Sequence, residues 1–316
     1  MARASPRIIQ GSKDPASDGP SRRCRQRARL SEPMAAAGED AADVVSDAAD
    51  PRLARLRDFG RRRPAAGELF VEGCAAVLAL LESDYEAELV VVQPSMVERM
   101  RPAFLAGKSS TTGRMLVCGV DVLEEVTGIV VAKRGELALA IATRRPLPRT
   151  LDEVRSLAEF DGQPLRVLAL DGLTDAVNVG SLVRVAGAFG AALVLCSADC
   201  CDPLNRRAIR ASAGRALHTP VVQGDLPAML RELQGRSVLT AAAVVQDGAR
   251  FLDEVPPGGF GSRWALVLGS EHKGVSEEAR AASELLIKIR MAPGVDSLNV
   301  VVSAGVLLHG CVEREA

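Results

Sequence analysis

Arg166-Val-Leu-Ala-Leu170-Asp171-Gly-Leu-Thr-Asp175-Ala-Val-Asn178-Val-Gly180-Ser-Leu-Val-Arg184 is the stretch on which the fold turns. Its first part is an unbroken apolar run, as a strand covered on both faces requires. A short polar turn follows, and then a helical stretch whose Val183, Ala186, Gly187 and Gly190 suit packing on a sheet. A strand feeding a helix through a tight turn opens a βα unit. The unit repeats outward. Strands are expected at 166–170, 192–196, 238–243, 264–268 and 286–289, with helices between them and a last helix over 298–313. Strands so uniformly apolar predict a parallel α/β sheet. Asn178 stands where a helix cap is favoured, and Gly180 permits a close approach. Arg184, six residues on, is expected to project near the same helix end. Read alone, the segment is equally a capped helix with one surface arginine. It lacks the G-x-G-x-x-G spacing of a dinucleotide site, which argues against a dehydrogenase.

Two later junctions repeat this strand-to-turn design. Leu266-Val-Leu268-Gly269-Ser270-Glu271-His-Lys-Gly274-Val runs a strand into a glycine-bounded turn. Turns at the carboxyl ends of parallel strands are where such sheets bind ligands. Glu271 is either a solvated loop carboxylate or a group that orients a catalytic arginine through a charge-assisted hydrogen bond. Ile289-Arg-Met291-Ala-Pro-Gly294-Val-Asp296-Ser297-Leu298-Asn299-Val300 leads into the last helix. Ser297 is expected to cap it, with Val300, Ala304, Leu307 and Leu308 on the buried face. For Ser297 and Asn299, capping alone is the competing reading. Between the first and second junctions Arg206, Arg207 and Arg210 have helical spacing and, with Arg215, are expected to meet phosphates. The alternative for each is a solvated surface charge.

Length and composition bound the rest. A chain of 316 residues favours two domains. Only 3% of residues are aromatic, so nucleic-acid contacts must lean on charge and backbone rather than on stacking. A net charge of −1 excludes an overall basic wrapper but not a local basic surface. Seven irregularly spaced cysteines argue against a secreted disulfide framework. Cys196, Cys200 and Cys201 lack the partners of a zinc site, and no metal is expected. No run is long and apolar enough for a membrane helix. Residues 1–48 read as a disordered tail, with a transit peptide or a basic RNA-binding arm around Arg22 to Arg29 as alternatives. Residues 49–143 read as a small α/β domain of alternating strands and helices. Residues 144–164, opening on Arg144-Arg-Pro-Leu-Pro148, read as a linker, and 165–316 as the second domain.

Taken in order, the three junctions resemble the three signature motifs of the SpoU/TrmH family of RNA 2′-O-ribose methyltransferases, within the SPOUT superfamily. The first resembles N-x-G-x-x-x-R, the second G-N/S/A-E-G-x-G, the third I-P-M-x-G-x-x-x-S-L-N-V. Residues 207–216 resemble the family's R-x-S-x-G-A segment. Phe70-Val-Glu72-Gly73 and residues 128–138 are similar to its ribosomal-protein-like (L30e-like) domain. Ala176, His272, Arg290 and Arg215 depart from the common pattern.

The resemblance implies an α/β trefoil knot in the second domain and S-adenosylmethionine as cofactor. It implies contacts to that cofactor from Leu268, Gly269, Ile289, Leu298, Thr240 and Ala241. Arg184 is implied as the catalytic residue, oriented by Glu271, with Asn178, Ser297 and Asn299 shaping the site. An arginine pKa above about 12 suits positioning and charge stabilisation better than proton abstraction. The implied substrate is tRNA or rRNA, the implied assembly a homodimer, and the expected location the cytoplasm, or an organelle if the first segment is a transit peptide. The competing functions are a knotted RNA-binding or ribosome-assembly protein without turnover, and a methyltransferase acting on a base nitrogen.

Overall fold

A computed structural model describes residues 42–106, 115–130, 136–154, 162–295 and 297–315. The basic cluster Arg22 to Arg29, part of the 128–138 stretch, and Asp296 lie outside the described residues. The first sheet has strands β1 (Ala42–Val45), β2 (Glu68–Glu72), β3 (Ala87–Val92), β4 (Met115–Cys118) and β5 (Ala138–Thr143). Their order is β1-β4-β3-β5-β2; β1, β4 and β3 run parallel, and β5 runs antiparallel to both of its neighbours. Helices α1 (Cys74–Leu81), α2 (Val97–Ala106) and α3 (Val120–Thr127) complete this part. β1 lies inside the segment that the sequence assigned to the tail. Only Val45 of that strand is buried, so it carries little hydrophobic signal.

The second sheet is parallel at every described pairing, as expected. Its strands are β6 (Leu165–Asp171), β7 (Leu193–Ser197), β8 (Val221–Gly224), β9 (Leu239–Ala243), β10 (Arg250–Phe251), β11 (Arg263–Gly269) and β12 (Leu285–Lys288), in the order β10-β12-β9-β11-β6-β7-β8. Helices α4 (Ala176–Ala188), α5 (Arg206–Ala211), α6 (Leu226–Gly235), α7 (Glu277–Ala281) and α8 (Val300–Val312) connect or cover it. The strand alternation sorts the core into two layers. Leu168, Leu170, Leu266 and Leu268 face α4 and α8, whereas Val167, Ala169, Ala265 and Val267 face α6 and α7. From β6 the chain steps outward through β7 and β8, then returns on the other side through β9 and β11. The direction reverses between β6 and β11. Glu315 closes the chain end onto these two strands. It accepts from Arg166 Nε at 2.6 Å and from Trp264 Nε1 at 2.8 Å. Burial pushes its carboxyl up, yet the bonds from Arg166 and Trp264 hold it below the usual carboxylate range.

The two sheets are not separate bodies. Leu204, Ile209 and Leu217 pack into the core of the first sheet with Leu69, Val71 and Leu80. Glu72, 3% exposed, takes Arg210 at 2.9 Å and Arg206 at 3.5 Å. Gly214 has φ +83, and a side chain there would run into Ala76 and Ala79 of α1. Described linker residues 144–154 lie on this body too. Leu151 is fully buried, and Pro148 O accepts from Gln223 N at 2.9 Å.

Candidate active site

A cavity of about 380 Å3 opens at the carboxyl ends of β9, β11 and β12, beside the start of α8. Its apolar wall is Leu268, Ile287, Ile289, Leu298, Val300 and Leu307. Its polar rim comes from the turn after β11. That turn folds back tightly: Gly274 N donates to Ser270 O at 2.8 Å, and Lys273 N to Ser270 Oγ at 3.2 Å. Gly274 takes φ +67, and a Cβ on Gly269 would overlap the backbone of Gly274 and Val275. The exit of the turn is tied to β6, where Asp171 Oδ2 accepts from Ser276 N at 2.7 Å.

The cavity gathers Leu268, Gly269, Glu271, Ile289, Ser297 and Leu298 from two distant segments. The first segment joins them by one contact. Asn178 Nδ2 donates to Glu271 Oε1 at 2.7 Å, bridging 93 residues of sequence. Asn178 is free for this because it does not cap its helix. Asp175 does, accepting from Val177 N at 2.6 Å and Asn178 N at 3.0 Å. The cap of α8 is likewise Asn299, which accepts from Val301 N at 3.0 Å, rather than Ser297. That leaves the exposed Ser297 facing the cavity. Asn299 is exposed and stands outside the lining.

Other expectations need correction. Thr240 and Ala241 are fully buried and do not line the cavity. Thr240 Oγ1 instead accepts from Gln234 Nε2 at 2.7 Å. The lining residues of that strand lie a few positions on, Ala243 to Gln246. Thr240 and Ala241 lie inside β9, whose end at Ala243 is where it was expected, and the chain meets the cavity only from that end onward. Arg184 makes no ion pair or hydrogen bond with Glu271. Six residues rotate a helix by about 600°, which leaves Asn178 and Arg184 about 120° apart on α4. Arg184 lines a second cavity of about 360 Å3 with Ala79, Gly187, Arg215 and His218. Gly180 serves a helix contact, since a Cβ there would meet the Ala208 carbonyl of α5. Arg206 and Arg210 are not spare charges for phosphate. Arg206 donates to the carbonyls of Phe59 and Gly60, and both arginines hold Glu72. Arg207 and Arg215 are exposed and have no ion pair among the described residues.

Sequence reasoning also missed Lys273, Arg280 and Lys288, which line the first cavity. Arg280 bonds Gln246 Oε1 at 2.9 Å, while its buried Nε has no partner among the described residues. Their positions follow strand and helix ends too variable in outline to read from spacing. The cysteine cluster supports the first junction. Cys200 Sγ accepts from Leu173 N at 3.4 Å beneath the loop that enters α4. Hydrogen bonding with Cys196 draws the Cys200 thiol down to about 7. Among the described residues no cluster of His, Cys, Asp and Glu is placed to hold a metal ion, and no helix is long and apolar enough to cross a membrane.

The sequence model of the SpoU rRNA methylase family matches residues 165–309, which hold all three junctions. An uncharacterized tRNA/rRNA methyltransferase of Mycobacterium bovis is 31% identical over 296 residues, covering 89% of this chain and 96% of that protein. The chain belongs to the SpoU rRNA methylase family. Another member, the 23S rRNA (guanosine-2′-O-)-methyltransferase RlmB of Ralstonia nicotianae, is 32% identical over 254 residues, or 77% of this chain and 95% of its own. In fold, the chain is similar to an AdoMet-bound rRNA methyltransferase of Sinorhizobium meliloti. That match has a TM-score of 0.66 at 20% identity, covering 85% of this chain and 97% of the other. The matched residues include Asn178, Arg184, Glu271, Ser297 and Asn299.

Proposed function

We propose that this protein methylates a ribose 2′-hydroxyl of ribosomal RNA with S-adenosylmethionine as donor. The observation that carries the reading is the Asn178–Glu271 bond, which joins the first junction to a cavity built from the other two. The cavity suits the donor. Its volume falls within the usual range for small-molecule sites, its wall is apolar, and Gly269 leaves a cradle that any side chain would fill. Leu268, Gly269, Ile289 and Leu298 would hold the adenosyl part, and Lys273, Arg280 and Lys288 would meet a carboxylate. When bound, the cofactor supplies a methyl group on a positively charged sulfur.

The protein's own task is alignment of the attacking oxygen and stabilisation of charge as its proton departs. Glu271, fixed by Asn178, presents an acceptor at the cavity rim, and Ser297 offers a hydroxyl there. Arg184 would position the ribose hydroxyl and steady developing alkoxide charge. Because it lies on another face of α4, we infer that the working site is shared within a homodimer. Val302 and Val306 along α8, Leu298 just before it, and Val177 on α4 are apolar yet exposed, at 53%, 43%, 38% and 40% accessibility. Pairing of two copies through these residues would cover them and carry the partner subunit's Arg184 to the cavity. The trefoil knot, in which the C-terminal chain threads through a loop, and a ribosomal-protein-like role for the first sheet belong to the same proposal. So does residence in the cytoplasm.

The test is a methylation assay of purified protein on transcribed 23S ribosomal RNA, with 2′-O-methyl nucleosides read by mass spectrometry and donor binding by calorimetry. Wild type should bind the donor and form a 2′-O-methyl nucleoside. Arg184→Ala should bind the donor equally and turn over about 100- to 1000-fold more slowly. Donor binding without any methylation of ribosomal or transfer RNA would favour the non-catalytic RNA-binding reading.

A further inference from the structure

The second cavity holds Arg184, Arg215 and His218 on the side of the second sheet, facing Ala79 and Glu82 of the first. Arg184 and Arg215 are exposed, and among the described residues neither guanidinium has an ion-pair or hydrogen-bond partner. On the adjoining helix α5, Arg206 and Arg210 are held by the Glu72 carboxylate, and only Arg207 is likewise without an ion pair among the described residues. The placement of Arg215 is built into the helix surface. Its side chain lies across Gly187, where an added Cβ would come within 2.5 Å of Nε and 3.1 Å of Cγ. Gly187 is three residues after Arg184, so it shares that residue's face of α4. The glycine therefore makes a groove that brings the second guanidinium beside the first. Two unpaired cations on one concave surface repel each other until an anion lies between them.

We propose that Arg184 and Arg215 together grip one backbone phosphate of the RNA, in the cleft between the two sheets. The inference rests on the RNA reading above only in naming the anion as a nucleic-acid phosphodiester. A phosphate fits two guanidinium forks, which offer several N–H donors to its oxygens. Glu82 lines the same cleft without an ion pair to either arginine. Its carboxylate repels a second phosphate and accepts from a ribose hydroxyl, so the cleft suits a single phosphate flanked by sugar. Arg215 stands where the family segment carries a small residue, so this grip is a feature of the present chain. The cleft is also formed by both sheets at once. A strand of RNA held there touches the first sheet while Arg184 touches its phosphate.

Binding of transcribed 23S ribosomal RNA, followed across about 50 to 300 mM salt, tests the grip. Arg215→Ala should lower affinity about tenfold at the low end and reduce the slope of log affinity against log salt by about 0.7 to 0.9. Arg215→Lys should keep the slope, because the charge remains. Gly187→Ala, which displaces the Arg215 side chain, should weaken binding in the same sense and add nothing to Arg215→Ala. Methylation should lose kcat/KM mainly through KM, with calorimetric donor affinity unchanged in every variant. A folded Arg215→Ala protein with the parent's salt slope would overturn the proposal, as would Arg215→Lys losing as much slope as the alanine. If wild type shows the slope yet transfers no methyl group, the methylation reading fails and the phosphate grip stands.

Discussion

Single side chains here are set by what their neighbours already satisfy. Asp175 takes the free N–H groups at the start of α4, and that releases Asn178 to hold Glu271. Asn299 does the same for α8 and leaves Ser297 facing the cavity. Gly269 is the least replaceable residue of the turn, because the backbone of Gly274 and Val275 occupies the space of its missing Cβ. Gly269→Ala should therefore shift the turn and weaken donor binding by about tenfold or more, as read by calorimetry, while RNA binding at the distant arginines stays near the parent value. At this scale the motif residues themselves were legible. Asn178, Glu271, Ser297 and Leu298 stand in recognisable spacing, and the fold brings them to one mouth. Their local duties were not legible, because either of two nearby polar residues can cap a helix and only packing decides which one does.

Among the elements, α8 has the most unusual surface. Leu307 and Leu308 are buried against the sheet, yet Val302 and Val306 stand in solvent. An apolar helix with water on one side invites a partner. If two copies pair through this face as proposed, Val302→Glu should convert that dimer into a monomer, seen as a halved mass by light scattering. Methylation should fall at least tenfold in parallel, while each monomer still binds the donor. A mutant that remains dimeric with full turnover would move the subunit contact elsewhere. Strands were legible where they are long and buried, as in β6 and β11, whose faces alternate between two hydrophobic layers. They were not legible at the sheet margins. β1 buries one residue and β8 offers two valines after Pro220, so neither produces a period long enough to read. The helix α2 was hidden by Pro102, which sits within it.

At the scale of the whole molecule, the decisive contact is the buried carboxylate of Glu72 between Arg206 and Arg210. It joins the two sheets inside a shared apolar core, where the sequence had suggested two domains and a basic stripe for RNA. Arginines three or four residues apart look alike in sequence whether they meet a phosphate or, as Arg210 does, a glutamate 138 residues away. Glu72→Ala should take the carboxylate from Arg210 and leave Arg206 only the Phe59 and Gly60 carbonyls, at a cost of about 2–4 kcal/mol, which lowers the melting temperature by roughly 5–10 °C. Glu72→Gln, which keeps an acceptor, should cost about half as much in the same thermal melt. A melt unchanged by Glu72→Ala would mean that apolar packing alone unites the two parts.

The stretch around Pro148 has a further consequence. Pro148 O takes the N–H of Gln223, and Arg149 O approaches so closely that only a glycine fits at position 224. β8 is the last strand of its sheet, and an unprotected last strand is a template for pairing with any other extended chain. The protein thus seals that margin with its own backbone. Growth of this apolar parallel sheet by strand addition is blocked along that edge.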